Sequence, residues 1–308
     1  MSQCLSCQEE TGTPDRVHAK CLKKLFGVSW VPKIAFGIAD MPAEISKAGA
    51  HMSISGVQIK ASVRLDTETR ALSMAQAGGS HVLKAEPGEF PELPQNENLC
   101  MNIAEKLEMD VPPHALLSMA DGKLCYVIKR FDRLEDGSKI HKETMAQVLS
   151  VNTEDKYKGS LEQVGKAIQK YAKNVGLDLI SFFERILLSF LTGNGDMHLK
   201  NWALLTHPNG EIHLAPCYDF VCSKMYLPAE EDFALSIMDK RNKLRRKDFE
   251  TLASHLQIDA KAAKNALDKF LAQKPGILAL TDGSELSADR KGKFKKILAE
   301  RYGRLYRP

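Results

Sequence analysis

Hydrophobic periodicity changes once along this chain, near Phe131, and that change limits the folds open to it. Between about Ile54 and Val127, apolar and β-branched residues alternate in short runs, ISGVQIKASVRL, RALSMA, SHVLKA and LCYVIKRF. This is the period-two pattern of strands in an antiparallel sheet. One helical stretch interrupts them: ENLCMNIAEKLEM sets Leu99, Cys100, Ile103, Ala104 and Leu107 on one face. Beyond Phe131 the apolar spacing becomes three to four residues, in LEQVGKAIQKYAKNVG, LISFFERILLSFLTG, RKDFETLASHLQI, AKAAKNALDKFLAQ and the C-terminal tail. The exception is WALLTHPNGEIHLAP, where Pro208, Asn209 and Gly210 separate two apolar runs as a hairpin turn does. Strand pattern followed by helix pattern predicts an α+β fold of two lobes. The expected divisions are an irregular Cys-rich head over residues 1–50, a β-rich lobe over 51–131 and a helical lobe over 132–308, with a cleft between the lobes.

Composition narrows the class. With 44% hydrophobic and 27% charged residues in 308, the chain has enough apolar material for two sizeable cores. No apolar run approaches the roughly 20 residues of a membrane span. The opening MSQCLSCQEE lacks a basic segment followed by an apolar one, so the expected compartment is the cytoplasm, without a membrane partner. A formal net charge of +4 is too small to indicate nucleic-acid binding by itself. The tail SADRKGKFKKILAERYGRLYRP carries eight Lys and Arg against two acids, and is expected to be a solvated basic face with Phe294, Ile297, Leu298 and Tyr302 turned inward. Seven cysteines, an odd number, argue against a disulfide framework.

The most chemical stretch is GNGDMHLKN, Gly193 to Asn201, which places Asp196, His198, Lys200 and Asn201 together where the apolar helix stops. A solvated turn does not require an acid and an amide five positions apart. Three other elements accompany it in order: MSISGVQIK, a Ser/Gly turn entering a strand; HVLK, with Lys84 at a strand end; and APCYDF, with Asp219 just after the hairpin. Kinases use this order of parts: a glycine-containing loop over the phosphates, a strand lysine on them, a catalytic Asp followed five residues on by a metal-binding Asn, and a downstream metal-binding Asp. Hard Mg²⁺ takes oxygen ligands, which Asn201 and Asp219 can supply. Asp196 would accept the proton of an attacking hydroxyl, and Lys84 would pair with nucleotide phosphates. Glu97, at the nearby helix start, is the candidate to hold Lys84. His198 is counted with the nucleotide site, as a core histidine rather than a metal ligand, since no second histidine at ligand spacing accompanies it. Each element alone has a plainer reading: Lys84 a solvated strand end, Glu97 an acid at a helix dipole, Asp219 a turn residue. Their joint order carries the inference.

Taken together, GNGDMHLKNWALL, APCYDF, VIKRFDR, NENLCMNIAEKLEMDVP and MSISGVQIK resemble the HipA family of bacterial serine/threonine kinase toxins, over roughly Ser53 to Tyr226. The resemblance is closest to the short form, HipT, in which the small N-terminal subdomain is absent. It implies a protein-kinase-like two-lobed fold and Mg-ATP-dependent phosphorylation of an aminoacyl-tRNA synthetase, stalling translation. Position by position it implies that Asp196 is catalytic, that Asn201 and Asp219 hold metal, and that Lys84 binds nucleotide. Lys129 and Phe131 fall in the segment that receives adenine. Ser53 and Ser55, beside Gly56, match loop serines that are autophosphorylated. It further implies a HipS-like small protein in place of the missing subdomain and a HipB-like DNA-binding antitoxin.

The head departs from that pattern. Cys4, Cys7, His18 and Cys21 have the ligand types and paired spacing of a small zinc site, but the short, irregular loop favours the plainer expectation of reduced thiols packed under the loop. Two further functions compete with the kinase toxin: a lipid or small-molecule kinase of related site chemistry, and a nucleic-acid-binding regulator using head and tail. The last leaves Asp196, Asn201 and Asp219 unexplained.

Overall fold

The computed structural model describes residues 2–48, 53–55, 58–76, 78–134 and 136–306, with only the backbone of 53–55. The chain divides into two compact units. The first comprises residues 1–102, 112–139 and 282–286; the second comprises 103–111, 140–281 and 287–308.

In the first unit, hairpin strands β1 (Ser2–Gln3) and β2 (Glu10–Thr11) precede helices α1 (Ala19–Phe26) and α2 (Met41–Lys47). A six-stranded antiparallel sheet follows, built from β3 (Ser53–Ser55), β4 (Gln58–Asp66), β5 (Ala71–Met74), β6 (His81–Lys84), β7 (His114–Ser118) and β8 (Leu124–Lys129); helix α3 (Leu93–Lys106) falls between β6 and β7 in the chain, and its residues from Ile103 onward belong to the second unit. The strand order is β3-β4-β6-β8-β7, with β5 paired to β4. Alternation sorts the side chains. Ala61, Val63, Leu72, Met74, Leu83, Leu117, Cys125 and Val127 share one face and pack against Ile34, Phe36, Met41 and Ile45 from the head. On the opposite face, register aligns Lys60, Lys84 and Tyr126 across three strands.

Two elements depart from the sequence expectation. HALLS forms edge strand β7, although its run after Pro112 and Pro113 alternates too little to mark a strand. Helix α3 is also buried beyond the single expected face: Asn96, Glu97, Asn98, Met101 and Asn102 are all at most 3% exposed. His114 opens β7 at 4% exposure, with its Nδ1 3.1 Å from Asn98 Oδ1. Burial pushes the His114 pKa down to about 3. His81, buried and bonded to the Leu25 carbonyl at 2.7 Å, is also lowered by burial.

These shifts fix a pH dependence. A histidine lowered on folding takes up its proton more readily when unfolded, so stability should fall as pH drops from about 6.5 toward 3. The expected slope is about 1.4 kcal/mol per pH unit for one such group. Urea midpoints of the first unit's transition at pH 7 and pH 5 check this, and His114→Gln should flatten the slope.

The second unit holds β9 (His141–Thr144), α4 (Met145–Val148), α5 (Leu161–Tyr171), α6 (Val175–Thr192), β10 (Ala203–Thr206), β11 (Ile212–Leu214), α7 (Arg246–His255), α8 (Ala260–Ala272), α9 (Lys274–Gly283, except for its last two residues) and α10 (Ala288–Tyr306). The lobe is not helical around a lone hairpin: β9 joins β10 and β11 as a third antiparallel strand. Thr144 and Ser160 start α4 and α5 with capping boxes, which satisfy orphan amides at each N-terminus. Helix α6 buries twelve of its eighteen residues, as its unbroken apolar pattern requires. The basic tail is not wholly solvated either, since Arg301 in α10 is 2% exposed. No helix among the described residues is long and apolar enough to cross a membrane.

Candidate functional site

The catalytic candidates begin where α6 ends. Gly193 caps that helix in the left-handed conformation, φ 71°, and a Cβ there would come within 2.9 Å of Ile297 and 3.0 Å of Lys224. Glycine is therefore required twice over, for conformation and for space. The chain then folds back on itself. The Asp196 N–H donates to Asn194 Oδ1 at 3.2 Å, and the Asp196 carbonyl accepts from the His198 N–H at 2.8 Å and from Asn201 Nδ2 at 3.1 Å. A 3₁₀ turn over Leu199–Asn201 closes the loop. This is the physical content of the five-residue spacing: one tight turn returns the amide of Asn201 to the backbone of Asp196. With Nδ2 so occupied, Asn201 presents Oδ1 as the atom to offer a cation.

Side chains distant in sequence complete the surroundings of Asp196. The Tyr157 hydroxyl donates to Asp196 Oδ1 at 2.6 Å, and its ring packs edge-on to His198 at 5.2 Å. Burial and the Asp196 carboxylate raise the Tyr157 pKa, so it remains a donor. Ser223 Oγ receives the Gly195 N–H at 2.8 Å and donates to Glu230 Oε2 at 2.6 Å. Glu230 leaves no room at Gly195, where a Cβ would lie 2.3 Å from its carboxyl carbon. Burial, reinforced by the charge of Asp196, raises the Glu230 pKa. Nothing in the sequence marked Tyr157, Ser223 or Glu230; they lie outside any local motif.

His198 is buried, and its Nδ1 has no hydrogen-bond partner among the described residues. Burial lowers its pKa, against the upward pull of Asp196 and, more weakly, of Asp219. Asp219 takes a left-handed backbone conformation, φ 57°. The preceding Tyr218 donates its hydroxyl to the Lys200 carbonyl at 3.0 Å, tying the Asp219 segment to the turn that carries Asn201. An amide oxygen and a carboxylate held on these tied segments suit a hard, oxygen-seeking cation.

The first unit positions the lysine. Lys84, 4% exposed, forms an ion pair with Glu97, 1% exposed, and its ammonium lies 5.5 Å from the centre of the Tyr126 ring. Glu97 sits in the second turn of α3, because the helix begins at Leu93. By backbone register Ser53 lies opposite Lys60, and Lys60 lies opposite Lys84; Ser55 lies opposite Gln58. Gly56 lies outside the described residues. Lys129 ends β8 three residues beyond Tyr126, so alternation puts its side chain on the sheet face away from Lys84. Phe131 is half-buried beside Arg130 and Asp132, which pair through two hydrogen bonds of 2.9 and 2.7 Å. In the head, the ligand atoms of Cys4, Cys7, His18 and Cys21 lie within 4.8 Å of one another.

Comparison with known proteins places the chain in a family. Y4dM of Sinorhizobium fredii NGR234, named as a kinase, is 31% identical over 241 residues, covering 71% of this chain and 58% of the relative. A Haemophilus influenzae Rd protein, also named as a kinase, is 34% identical over 188 residues, covering 57% and 54%. The serine/threonine-protein kinase toxin HipA of Shewanella oneidensis MR-1 is 25% identical over 220 residues, covering 65% and 49%. The chain thus spans about half the length of the curated relatives it matches. Among solved structures, the fold matches the S. oneidensis HipA–HipB–operator DNA complex with a TM-score of 0.70 at 20% identity, covering 96% of this chain and 80% of that one. It also matches the Helicobacter pylori proinflammatory kinase CtkA with a TM-score of 0.56 at 18% identity, covering 83% and 93%. The fold is therefore the α+β, kinase-like one. The model of the HipA-like C-terminal domain matches residues 52–276, a span holding Lys84, Glu97, Asp196, Asn201 and Asp219, and the chain belongs to that family.

Proposed function

We propose that the protein is an ATP- and Mg²⁺-dependent serine/threonine protein kinase. The observation that carries this reading is the locked turn in which Asn201 Nδ2 is held by the Asp196 carbonyl, leaving an amide oxygen, beside the Asp219 segment, to serve as a metal ligand. Asn201 and Asp219 would hold Mg²⁺, which when bound neutralises charge on the transferred phosphoryl group. Lys84, oriented by Glu97, would fix the nucleotide phosphates. Asp196 has Oδ1 engaged by Tyr157, so Oδ2 would accept the proton of the attacking hydroxyl.

The finer reading is that of a toxin in a toxin–antitoxin system, with an aminoacyl-tRNA synthetase as substrate and Ser53 or Ser55 as autophosphorylation sites. It rests on the family resemblance and on the relative named as a kinase toxin. Its expected partners are a HipB-like antitoxin, of the kind present in the matched complex, and a HipS-like small protein. The domain division at about residues 50 and 131 belongs to the same proposal.

Two measurements test the reading. ATP with Mg²⁺ should stabilise the wild type by about 2.7 kcal/mol at a hundredfold excess over Kd. Asp219→Asn should lose at least about 1.4 kcal/mol of that gain, a tenfold weakening, with little difference in EDTA. Equal shifts for the two proteins would remove Asp219 from the metal site. Radiolabelled phosphate should pass from ATP to proteins of a bacterial lysate; transfer to extracted lipids alone would make this a lipid kinase instead.

A further inference from the structure

We propose that the N-terminal head is a structural zinc site, with Cys4, Cys7, His18 Nδ1 and Cys21 as its four ligands. Spacing alone favoured packed thiols, and the tertiary arrangement reverses that preference. The four ligand atoms, drawn from a loop and a helix start, all lie within 4.8 Å of one another. A tetrahedral zinc with bonds of about 2.3 Å to sulfur and 2.0–2.1 Å to nitrogen needs ligand separations of roughly 3.5–3.8 Å. Cys7 Sγ and His18 Nδ1 are already 3.4 Å apart, so closing the set onto an ion requires movements of about 1 Å or less.

The surroundings prepare the ligands. His18 Nε2 lies 3.0 Å from the Glu10 carbonyl, which can only accept. Nε2 therefore carries the proton, and the Nδ1 lone pair faces the sulfurs, the orienting contact that metal-bound histidines use. The His18 backbone N–H points at Cys4 Sγ from 3.4 Å, a donor that favours thiolate. Gln8, immediately after Cys7, takes φ 58°, turning the chain back so that both sulfurs of the Cys4-to-Cys7 loop face inward. Cys4 and Cys21 are 1% and 8% exposed. All seven cysteines are free thiols, so no disulfide accounts for the convergence. Bound zinc would take all three cysteines as thiolates and so leave a site charge of −1 on an arm that also carries Lys20, Lys23 and Lys24.

The role follows from what the two arms hold. Leu5, between the first two cysteines, accepts a backbone hydrogen bond from Leu116 of β7 at 2.9 Å, and Ser6 Oγ donates to the His114 carbonyl at 2.6 Å. Strand β7 is the sheet edge, so the loop covers backbone groups that would otherwise be open to pairing. From the other arm, α1 sets the Leu25 carbonyl on His81 at 2.7 Å and the Phe26 ring 4.8 Å from it; His81 opens β6, the strand that ends in Lys84. Zinc would clamp loop to helix, and through them the edge strand and the lysine strand. It takes no part in phosphoryl transfer.

The full chain, purified without chelator from cells grown with added zinc, should contain about one zinc per chain by elemental analysis. After replacement by Co²⁺ it should show thiolate-to-cobalt charge transfer and tetrahedral ligand-field bands. Cys7→Ser should lose most of the zinc and of the cobalt charge-transfer intensity. Stripping zinc from the wild type should lower the Tm of the first unit by about 5 °C or more, reversibly on adding zinc. If Cys7→Ser does not fold, the wild-type metal content and cobalt spectrum still decide. Wild-type protein without zinc or cobalt bands, or with a Cys4–Cys7 disulfide instead, overturns the proposal. So does a Cys7→Ser protein that keeps full zinc.

Discussion

Replacing Asp196 by asparagine is expected to reduce phosphoryl transfer by 10²- to 10⁴-fold, the usual contribution of a positioned general base, while leaving the fold intact. The side chain keeps its shape, and Tyr157 can still donate to the remaining carbonyl oxygen across the 2.6 Å contact. Only the proton acceptor and its charge disappear. Stability should hold or rise slightly, because the Asp196 charge acts unfavourably on buried Glu230 and raises its pKa. The check pairs initial rates of transfer from ATP with a thermal melt of the same preparation. Transfer at the wild-type rate by a folded variant would remove Asp196 from the chemistry. Loss of transfer together with a large fall in Tm would instead indicate a structural role.

The largest stability effect is expected at Asp232, which is not itself a catalytic candidate. This carboxylate is 2% exposed and binds both Arg301, also 2% exposed, and Arg304 of α10, accepting in addition the Leu244 N–H at 3.0 Å. Both guanidinium groups stack near Phe190 of α6, at 4.7 and 5.0 Å from the ring centre. Asp232→Ala would leave Arg301 and Arg304 with only the half-exposed Glu300, 3.1 Å from each, as a counter-charge, and breaking a buried pair this way costs about 3–5 kcal/mol. For the second unit that corresponds to a Tm lower by roughly 6–20 °C. Replacing Asp232, Arg301 and Arg304 together by apolar residues should cost clearly less, because no charge is then orphaned. Urea titrations of the single and triple variants separate the cases: equal losses would show that packing, not charge, sets the cost.

Local information was the legible part. The alternation of ISGVQIKASVRL and SHVLKA placed β4 and β6, and the unbroken apolar face of FFERILLSFLTG placed α6, because side-chain period follows directly from backbone geometry. The short HALLS strand and β9 carry no such signal, since a four- or five-residue run beside prolines or charges has too few positions to show a period. For α3 the sequence suggested one buried face, and burial of Asn98 and Asn102 was invisible because polar residues at those positions say nothing of what covers them.

The candidate site divides in the same way. Residue types and spacing within GNGDMHLKN were local, and so was the turn that joins Asn201 to Asp196, because both lie within one six-residue loop. Tyr157, Ser223 and Glu230 could not be read from sequence: they reach the loop from 39, 28 and 35 positions away from Asp196 or its neighbour Gly195, and no periodicity encodes a contact at that range. The basic tail shows the limit most sharply. Its charge pattern determined a helix with an apolar stripe, yet Arg301 lies inside, because a buried Asp232 sixty-nine residues earlier compensates its charge. Likewise the head's sequence supplied three thiols and an imidazole at ligand spacing, but whether they meet was decided only when the loop and α1 folded onto β6 and β7. Covalent spacing constrains neighbours a turn or a strand apart; contacts across the chain depend on which surfaces exclude water together, and that is a property of the whole packed unit.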